Sequence, residues 1–216
     1  MYPSYQLPNN KRGLLIFDFD GVLADSFDTF YSLNKGSMKA VGVKLTKSAF
    51  KNLFNGNIHA GLKSLIKDKN SYKKFLSIRD ERYSTYYPGE VNLFKGAVGL
   101  IKKLKTKYCL CIASSSLESA INFLLKKGGV NSCFVLVKGG QHYSKKDILN
   151  EILIKTKLKP QNAIMITDTI GDIKVSKKVG LKTIAVTWGF HSAKMLKLSE
   201  PNFIVNNFNE LTNYLI

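Results

Sequence analysis

The chain lacks long apolar runs and has few cysteines. No segment approaches the roughly 20 apolar residues that a membrane-spanning helix needs, so no membrane span is expected. Three cysteines cannot all pair internally, and Cys109 and Cys111 stand at i and i+2 of a predicted strand, a poor geometry for a redox pair. A reducing, cytoplasmic location is therefore expected.

Arginine is also scarce, since only Arg12, Arg79 and Arg82 occur among 33 basic residues. The formal net charge of +18 would suit a polyanionic partner such as nucleic acid. However, the planar fork that reads phosphates and bases belongs to arginine, and the lysines are scattered rather than grouped in long blocks. A solvated lysine-rich surface is the favoured interpretation, and a nucleic-acid partner stays open without being favoured.

The rest of the composition suits a folded domain. With 216 residues and 44% hydrophobic content, the chain can bury a full core, as one large domain or a domain with a modest insertion. The first residues are polar and contain Pro3 and Pro8, unlike a signal peptide or an amphipathic presequence. Residues 1–10 are expected to form an N-terminal tail.

Apolar strand patterns alternate with helical patterns along most of the chain. This alternation predicts an α/β fold of the Rossmann-like kind, a mainly parallel sheet with helices on both faces. Ligands of such sheets bind beyond the carboxyl ends of the strands. The predicted strands are Leu14–Phe19, Tyr108–Ala113, Phe134–Val137, Ala163–Thr167, Thr183–Val186 and Phe203–Val205.

Residues 25–94 break this rhythm. They carry no strand pattern, and their apolar residues are spaced as in several short amphipathic helices. The sequence therefore predicts an α/β core domain made of residues 11–24 and 95–216, with a small all-helical domain inserted at 25–94.

The segment Leu14–Leu23 places two carboxylates at the end of a predicted buried strand. Asp18 and Asp20 start on the same side of that strand, roughly 7 Å apart, and no Lys or Arg lies between Arg12 and Lys35 to pair with them. A buried carboxylate must be paired, protonated or bound to a cation. The pattern indicates a divalent metal beside a carboxylate nucleophile.

The same residues resemble the first motif of the haloacid dehalogenase-like superfamily, DFDGVLADS in this chain. Three further segments fit the superfamily's motifs in the expected order. They are Ser114 at a strand end, Lys145 near a helix start, and the pair Asp168 and Asp172 in ITDTIGDI. The helical insertion is similar to the small cap of the subfamily that includes phosphoglycolate phosphatase and β-phosphoglucomutase.

This resemblance implies roles for the four acidic residues. Asp18 would attack phosphorus, and Asp20 would act as general acid and base. Mg²⁺ would be bound by the carboxylates of Asp18 and Asp168 and by the backbone carbonyl of Asp20, with Asp172 mainly supporting the site from outside. Thr167 stands where relatives commonly have glycine.

The phosphate-binding residues implied are Ser114, the backbone of Ser115, and Lys145. Without the resemblance, Ser115-Ser116-Leu117-Glu118 fits a helix capping box. Lys145 is expected just before a helix beginning near Asp147, an unfavourable end for a cation unless a phosphoryl group binds there. Lys146 is a competing candidate.

Two softer candidates for substrate specificity, Asn57 and His59, lie in a polar, glycine-bearing segment that is expected to be a loop. Trp188-Gly189-Phe190-His191 resembles a segment of phosphoglycolate phosphatase-like proteins, and its aromatic residues are expected to pack rather than contact substrate.

Together these features predict a Mg²⁺-dependent phosphatase for a small phosphorylated metabolite, with phosphoglycolate or a sugar phosphate as the leading substrate types. One alternative is a β-phosphoglucomutase-like phosphomutase, which would use the same four motifs. A protein that binds nucleic acid or another polyanion on this scaffold is an alternative of another class. A dehalogenase is disfavoured, because that branch lacks the second carboxylate, here Asp20.

Overall fold

The computed structural model describes residues 11–140 and 143–216, apart from the side chains of four residues between 84 and 88. The expected N-terminal tail, residues 1–10, lies outside the described residues. In the described ranges, no helix has both the length and the apolar character needed to cross a membrane. Cys109, Cys111 and Cys133, all in these ranges, form no disulfide.

Six strands form one parallel sheet, and two short strands form a separate antiparallel pair. The order across the large sheet is β5-β4-β1-β6-β7-β8. The strands are β1 (Leu14–Phe17), β2 (Ala24–Asp25), β3 (Asn92–Leu93), β4 (Cys109–Ser114), β5 (Leu136–Gly139), β6 (Ala163–Thr167), β7 (Lys182–Val186) and β8 (Phe203–Val205).

Ten α-helices accompany these strands in the described residues. The helices are α1 (Phe27–Lys39), α2 (Lys47–Leu53), α3 (Ile58–Ser64), α4 (Lys69–Glu90), α5 (Ala97–Lys107), α6 (Glu118–Lys127), α7 (Lys145–Thr156), α8 (Ile170–Val179), α9 (Ala193–Lys197) and α10 (Phe208–Leu215).

The central strand β1 is buried on both faces, which explains its unbroken apolar sequence. Because side chains alternate along a strand, Leu15 and Phe17 join one core cluster and Leu14 and Ile16 join another. The first cluster packs against α5, α6 and α10, and the second against α7 and α8. The predicted fold class, a mainly parallel sheet with helices on both faces, is confirmed.

Helices α1–α4 form the helical insertion, which is defined here as residues 27–90. It has its own apolar cluster, which includes Met38, Phe50 and Phe75, all fully buried. The expectation of no strand in residues 25–94 is wrong at both ends, since Asp25 pairs with Asn92 and Ala24 with Leu93. A two-residue ladder is too short to show the alternation that identifies a strand in sequence.

Several predicted strand ends shift. The first strand ends at Phe17 rather than Phe19, because the chain turns at Gly21, where the amide donates to the carbonyl of Ala24 at 2.9 Å. The strand expected at Phe134–Val137 runs instead from Leu136 to Gly139. Strands β1, β4 and β6 lie side by side with parallel register, so Asp18, Ser114 and Asp168 reach the same edge of the sheet.

Candidate active site

Asp18, Lys145 and Asp172 meet at the carboxyl edge of the sheet. The Lys145 ammonium lies 3.0 Å from a carboxylate oxygen of Asp18 and 3.0 Å from one of Asp172. It also donates to the backbone carbonyl of Ala113 at 2.8 Å. Lys145 therefore supplies the positive partner that the sequence around Asp18 lacks.

Helix α7 starts two residues earlier than expected. It begins at Lys145 rather than near Asp147, because Ser144 caps it in a reciprocal capping box with Asp147. Lys145 therefore occupies the first helical position and is buried, whereas Lys146 is exposed. Both lysines line the adjoining cavity, but among the described contacts Lys145 is the one paired with Asp18 and Asp172.

Asp168 follows β6 and is completely buried. One carboxylate oxygen, Oδ2, accepts the backbone N–H of Phe190 at 2.7 Å. The other oxygen, Oδ1, is buried with no hydrogen-bond partner among the described residues. Gly21 is required here, because its φ is 74° and a Cβ atom would lie only 2.0 Å from Asp168 Oδ2.

Asp172 lies in the first turn of α8, which is capped by Thr169. The hydroxyl of Thr167, the residue that replaces the common glycine, lies 3.4 Å from Asp172 Oδ2. Thr167 therefore adds a contact to Asp172, one member of the pair Asp168 and Asp172. Thr167 is fully buried, and the sequence alone did not show that its hydroxyl would contact Asp172.

Burial and mutual repulsion set the charges of these acids. Burial raises the pKa of Asp18 well above its ordinary value, with Lys145 opposing the rise and Asp172 adding to it. Burial likewise raises the pKa of Asp168 to about 7. Although burial opposes it, the attraction of Lys145 holds the pKa of Asp172 below its ordinary value. Burial disfavours the ammonium of Lys145, yet Asp172 and Asp18 raise its pKa.

The donor set fits a hard divalent cation. The carboxylates of Asp18 and Asp172 share one ammonium, and Asp168 Oδ1 is a buried acceptor with no donor among the described residues. Within the part of the chain that the structure describes, no three His, Cys, Asp or Glu side chains already form a metal cage. Mg²⁺ needs none, because it typically takes one or two carboxylates and completes its shell with water and phosphate oxygens.

Asp20 is held by side chains from two different parts of the chain. The hydroxyl of Tyr87, in α4 of the helical insertion, donates to its Oδ1 at 2.5 Å. The hydroxyl of Ser116, in the core, donates to its Oδ2 at 2.5 Å. Burial raises the pKa of Asp20, and the hydrogen bonds from Ser116 and Tyr87 oppose that rise.

The expected capping box at Ser115–Glu118 is wrong. Helix α6 begins at Glu118 with Leu117 as its N-cap and has no side-chain cap. Glu118 instead accepts the backbone N–H of Gly139 and pairs with Lys138. The serine hydroxyls therefore do not cap the helix, and the hydroxyl of Ser116 donates to Asp20 instead.

Ser114 and Ser115 lie where the resemblance placed them. Ser114 ends β4, and its hydroxyl oxygen accepts the backbone N–H of Ser116 at 3.0 Å. Both Ser114 and Ser115 line the same cavity as Asp18 and Lys145. The structure therefore brings together the phosphate-binding candidates and the candidate nucleophile.

Asn57 and His59 also line this cavity, from the helical insertion. The expected loop is partly wrong, because Asn57 caps α3 by accepting the backbone N–H of Ala60 and His59 lies inside that helix. The Nδ1 atom of His59 lies 3.5 Å from the guanidinium of Arg79, which is also bound to Asp80 at 2.7 Å. Sequence reasoning missed Arg79 as a residue lining the cavity.

The segment Trp188–His191 joins the core to the insertion. Trp188 donates to the carbonyl of Val22 and packs on Phe208, as expected for a packing residue. Phe190 packs on Phe27 and Phe54, but it also lines the cavity. His191 accepts the amide of Ile170 at Nδ1, so Nε2 carries the proton and donates to the carbonyl of Lys51 at 2.9 Å.

A cavity of about 480 Å³ lies between the sheet edge and the helical insertion. Its core side carries Asp18, Asp20, Ser114 and Lys145, and its insertion side combines apolar and aromatic residues with polar ones such as Asn57, His59 and Arg79. The two sides touch directly, since the amide of Gly171 donates to the carbonyl of Phe54 at 2.9 Å. A ligand in this cavity would meet the carboxylates, the lysine and the insertion together.

A family model described as haloacid dehalogenase-like hydrolase matches residues 15–186. The chain belongs to this family. The matched range runs from β1 to the end of β7, so it contains the helical insertion and all four motifs.

Similar proteins cover nearly the whole chain. A phosphoglycolate phosphatase of Synechococcus elongatus is 24% identical over 200 residues, or 91% of this chain and 94% of that protein. The protein named probable phosphatase IndB of Dickeya dadantii is 29% identical over 222 residues, or 93% and 92% of the two chains. A haloacid dehalogenase-like hydrolase structure from Streptococcus pneumoniae shares the fold, with a TM-score of 0.82, 23% identity and 94% and 98% coverage.

Proposed function

We propose that this family member is a Mg²⁺-dependent phosphatase that hydrolyses a small phosphomonoester through an aspartyl-phosphate. The observation that carries the proposal is the position of Asp18. Its buried carboxylate directly follows the central strand, contacts Lys145 at 3.0 Å and lines the cavity, with Asp20 two residues further on. A carboxylate held in this way suits nucleophilic catalysis.

The reaction follows from these two carboxylates. A carboxylate oxygen of Asp18 attacks phosphorus, the P–O bond to the alcohol breaks, and Asp20 gives a proton to the departing oxygen. Asp20 then takes a proton from a water molecule as that water attacks the aspartyl-phosphate. Inorganic phosphate leaves, and both carboxyl groups return to their starting states. The raised pKa of Asp20 suits a group that must first carry a proton.

The phosphoryl group would be bound by the core side of the cavity. Lys145 supplies a buried positive charge, and Ser114 and Ser115 supply a hydroxyl and backbone N–H groups at a strand end. Positive charge and donors that are fixed before the reaction stabilise the charge that develops during phosphoryl transfer.

Mg²⁺ would be bound by Asp18, Asp168 and the backbone carbonyl of Asp20, with Asp172 in support. When bound, it offsets the negative charge of the phosphate and of the clustered carboxylates. The buried Oδ1 of Asp168, with no hydrogen-bond partner among the described residues, supports this assignment.

The helical insertion is proposed to act as a cap domain, whose limits at residues 25–94 add the short flanking segments to residues 27–90. It covers the reacting carboxylates and would exclude bulk water during transfer. Asn57 and His59 are proposed to contact the alcohol part of the substrate, because both line the cavity from the insertion.

A cytoplasmic location is proposed. Phosphoglycolate and sugar phosphates are the first substrates to test.

The test is phosphate release from a panel of phosphomonoesters, with Mg²⁺ and with EDTA. The panel contains phosphoglycolate, sugar phosphates and nucleotides, and Asp18→Asn is the matched inactive control. Release that needs both Mg²⁺ and Asp18 supports the proposal. Metal-independent release, or release that Asp18→Asn retains, contradicts it. Transfer of the phosphoryl group to a second sugar hydroxyl would indicate a phosphomutase.

If no ester is hydrolysed, binding to a DNA or RNA duplex should be measured from low to physiological salt. Steep salt dependence would support the polyanion-binding alternative, and absence of binding at low salt would exclude it.

A further inference from the structure

The cavity above the phosphate-binding groups is large for a two-carbon substrate. Its volume of about 480 Å³ falls within the range of roughly 300–1,000 Å³ that is usual for sites of drug-sized ligands. The phosphoryl group would occupy only the end formed by Asp18, Ser114 and Lys145. Most of the remaining space would face the alcohol part of the ester.

The walls around that space are rich in aromatic rings. They come from both the insertion and the core, and they are Phe30, Phe50, Phe54, Tyr83 and Phe190. These rings are fixed by one another, since Phe54 and Phe190 meet edge to face at 4.8 Å and Phe50 and Phe54 at 5.3 Å. Edge-to-face and offset contacts are also how such walls bind a further ring.

Beyond Lys145, the cationic side chains that line the cavity are Arg79, Lys146, Lys174 and Lys178, and the other polar side chains on the insertion side include Asn34, Asn55, Asn57 and His59. The buried guanidinium of Arg79 already has the carboxylate of Asp80 at 2.7 and 3.0 Å. Lys146, Lys174 and Lys178 line the cavity from the core helices α7 and α8, and all three are exposed. Against the aromatic part of the wall, a glycolate carboxylate would lose hydration, whereas an uncharged ring would not carry that cost.

We propose that the preferred substrate is a small phosphomonoester of an alcohol that carries an aromatic ring. This inference rests on the proposed phosphatase function and makes its substrate class specific. The ring would pack against the aromatic wall that includes Phe30, Phe54 and Phe190, while the phosphoryl group would lie against Lys145. The reaction itself is unchanged. The ester P–O bond breaks and the alcohol leaves with a proton. The oxygen of a water molecule then joins phosphorus, and the group leaves as inorganic phosphate.

The decisive experiment compares 2-phenylethyl phosphate with ethyl phosphate, using kcat/KM for phosphate release with Mg²⁺. Both esters release a primary alcohol, so the chemical step is matched and the ring is the difference. We expect kcat/KM to be at least about tenfold higher for 2-phenylethyl phosphate, because burial of a ring of this size favours binding by that factor or more. We also expect phosphoglycolate to be the poorer substrate.

Phe54 provides the matched variants. Its side chain lines the cavity and meets the core at the ring of Phe190, and its backbone carbonyl accepts the amide of Gly171, a contact that substitution leaves in place. Phe54→Leu removes the ring, and we expect the ratio of the two kcat/KM values to fall about threefold to tenfold. Phe54→Tyr keeps the ring, so its ratio should stay near that of the wild type.

A binding measurement separates this inference from the phosphatase proposal. Titration calorimetry on Asp18→Asn with Mg²⁺ compares the Kd values of the same two esters without turnover. Tighter binding of the phenyl ester supports the inference even if no ester is hydrolysed, in which case only the phosphatase proposal fails. Equal Kd values and equal kcat/KM values overturn the inference, and they do so even if ethyl phosphate and phosphoglycolate are hydrolysed.

Discussion

The core side of the cavity carries charged groups at the carboxyl edge of the sheet, whereas the insertion side carries aromatic rings together with several polar side chains. On the core side, Asp18 and Asp168 follow adjacent parallel strands, and Lys145 pairs with Asp18 at 3.0 Å. On the insertion side, Phe50 and Phe54 belong to an apolar cluster of their own.

This difference suggests a division of roles, in which the core side carries out the reaction and the insertion side selects the substrate. Under the proposed mechanism, the core groups would contact the part that all phosphomonoesters share, so they would act on any such ester. The insertion can contact only the part that differs between esters. Variants of the core side should therefore lower turnover of every substrate, and variants of the insertion side should change the ranking of substrates.

The largest expected effect is that of Asp18→Asn on the core side. Loss of the nucleophile should lower kcat on the order of 10⁴-fold or more for every ester, while circular dichroism and Tm show a folded protein. Phosphate release with p-nitrophenyl phosphate and with alkyl phosphates measures it. Substantial turnover of either ester by the folded variant would remove Asp18 from the nucleophile's role.

Lys145→Met should have the second-largest effect on activity, and Lys146→Met is its matched control. Loss of the buried ammonium should lower kcat/KM about a hundredfold or more and destabilise the fold by about 3 kcal/mol, because two buried carboxylates lose their partner. The exposed Lys146 should tolerate the same change within a few fold. If Lys146→Met has the larger effect on kcat/KM, the lysine assignment is reversed.

Asp168 should make the metal-free protein sensitive to pH. The folded pKa of about 7 lies above the ordinary value of 3.8, so its contribution to stability is fully present below pH 3.8 and is lost as pH rises through 7. In EDTA, the wild type should lose about 2–3 kcal/mol more than Asp168→Asn between pH 5 and pH 8.

Urea unfolding at each pH measures this difference. Asn retains an acceptor for the amide of Phe190, so the variant isolates the titration. Mg²⁺ should raise the free energy of unfolding of the wild type at pH 8 and leave the variant largely unchanged. A parallel pH response of the two proteins would refute the account of Asp168.

The smallest expected effect belongs to Tyr87→Phe, at the junction of the two sides. Its hydroxyl orients Asp20, so kcat should fall about tenfold for alkyl phosphates, whose departing oxygen needs a proton. It should fall less for p-nitrophenyl phosphate, whose leaving group needs none. Tyr83→Phe is the control, since Tyr83 stacks on Tyr87 at 4.6 Å. Equal losses on both esters would indicate a merely structural role.

The core side was largely predictable from sequence, for a physical reason. A carboxylate directly after a buried strand conflicts with its surroundings unless it has a function, and β1 and β6 both end in this way. The order of elements then places such ends at one edge of the sheet. Local patterns therefore indicated Asp18 and Asp20, and the resemblance to the family's motifs indicated Asp168, although the start of α7 at Lys145 was missed.

The insertion side was not predictable in the same way. Tyr87 contacts Asp20 across 67 positions of sequence, and an aromatic residue in a helix ordinarily indicates packing. Phe190 was expected to pack and does so, but nothing in its sequence context showed that it would also line the cavity. Such roles depend on how the insertion lies against the core, which local periodicity does not determine.

The most direct test of the account is to trap the aspartyl-phosphate. The protein is mixed with p-nitrophenyl phosphate and Mg²⁺, quenched during turnover with borohydride, which reduces an acyl phosphate to an alcohol, and digested for mass spectrometry. The account predicts homoserine at position 18 and aspartate at position 20. Reduction at another residue, or none at position 18 in samples quenched across the whole time course of active turnover, would contradict it.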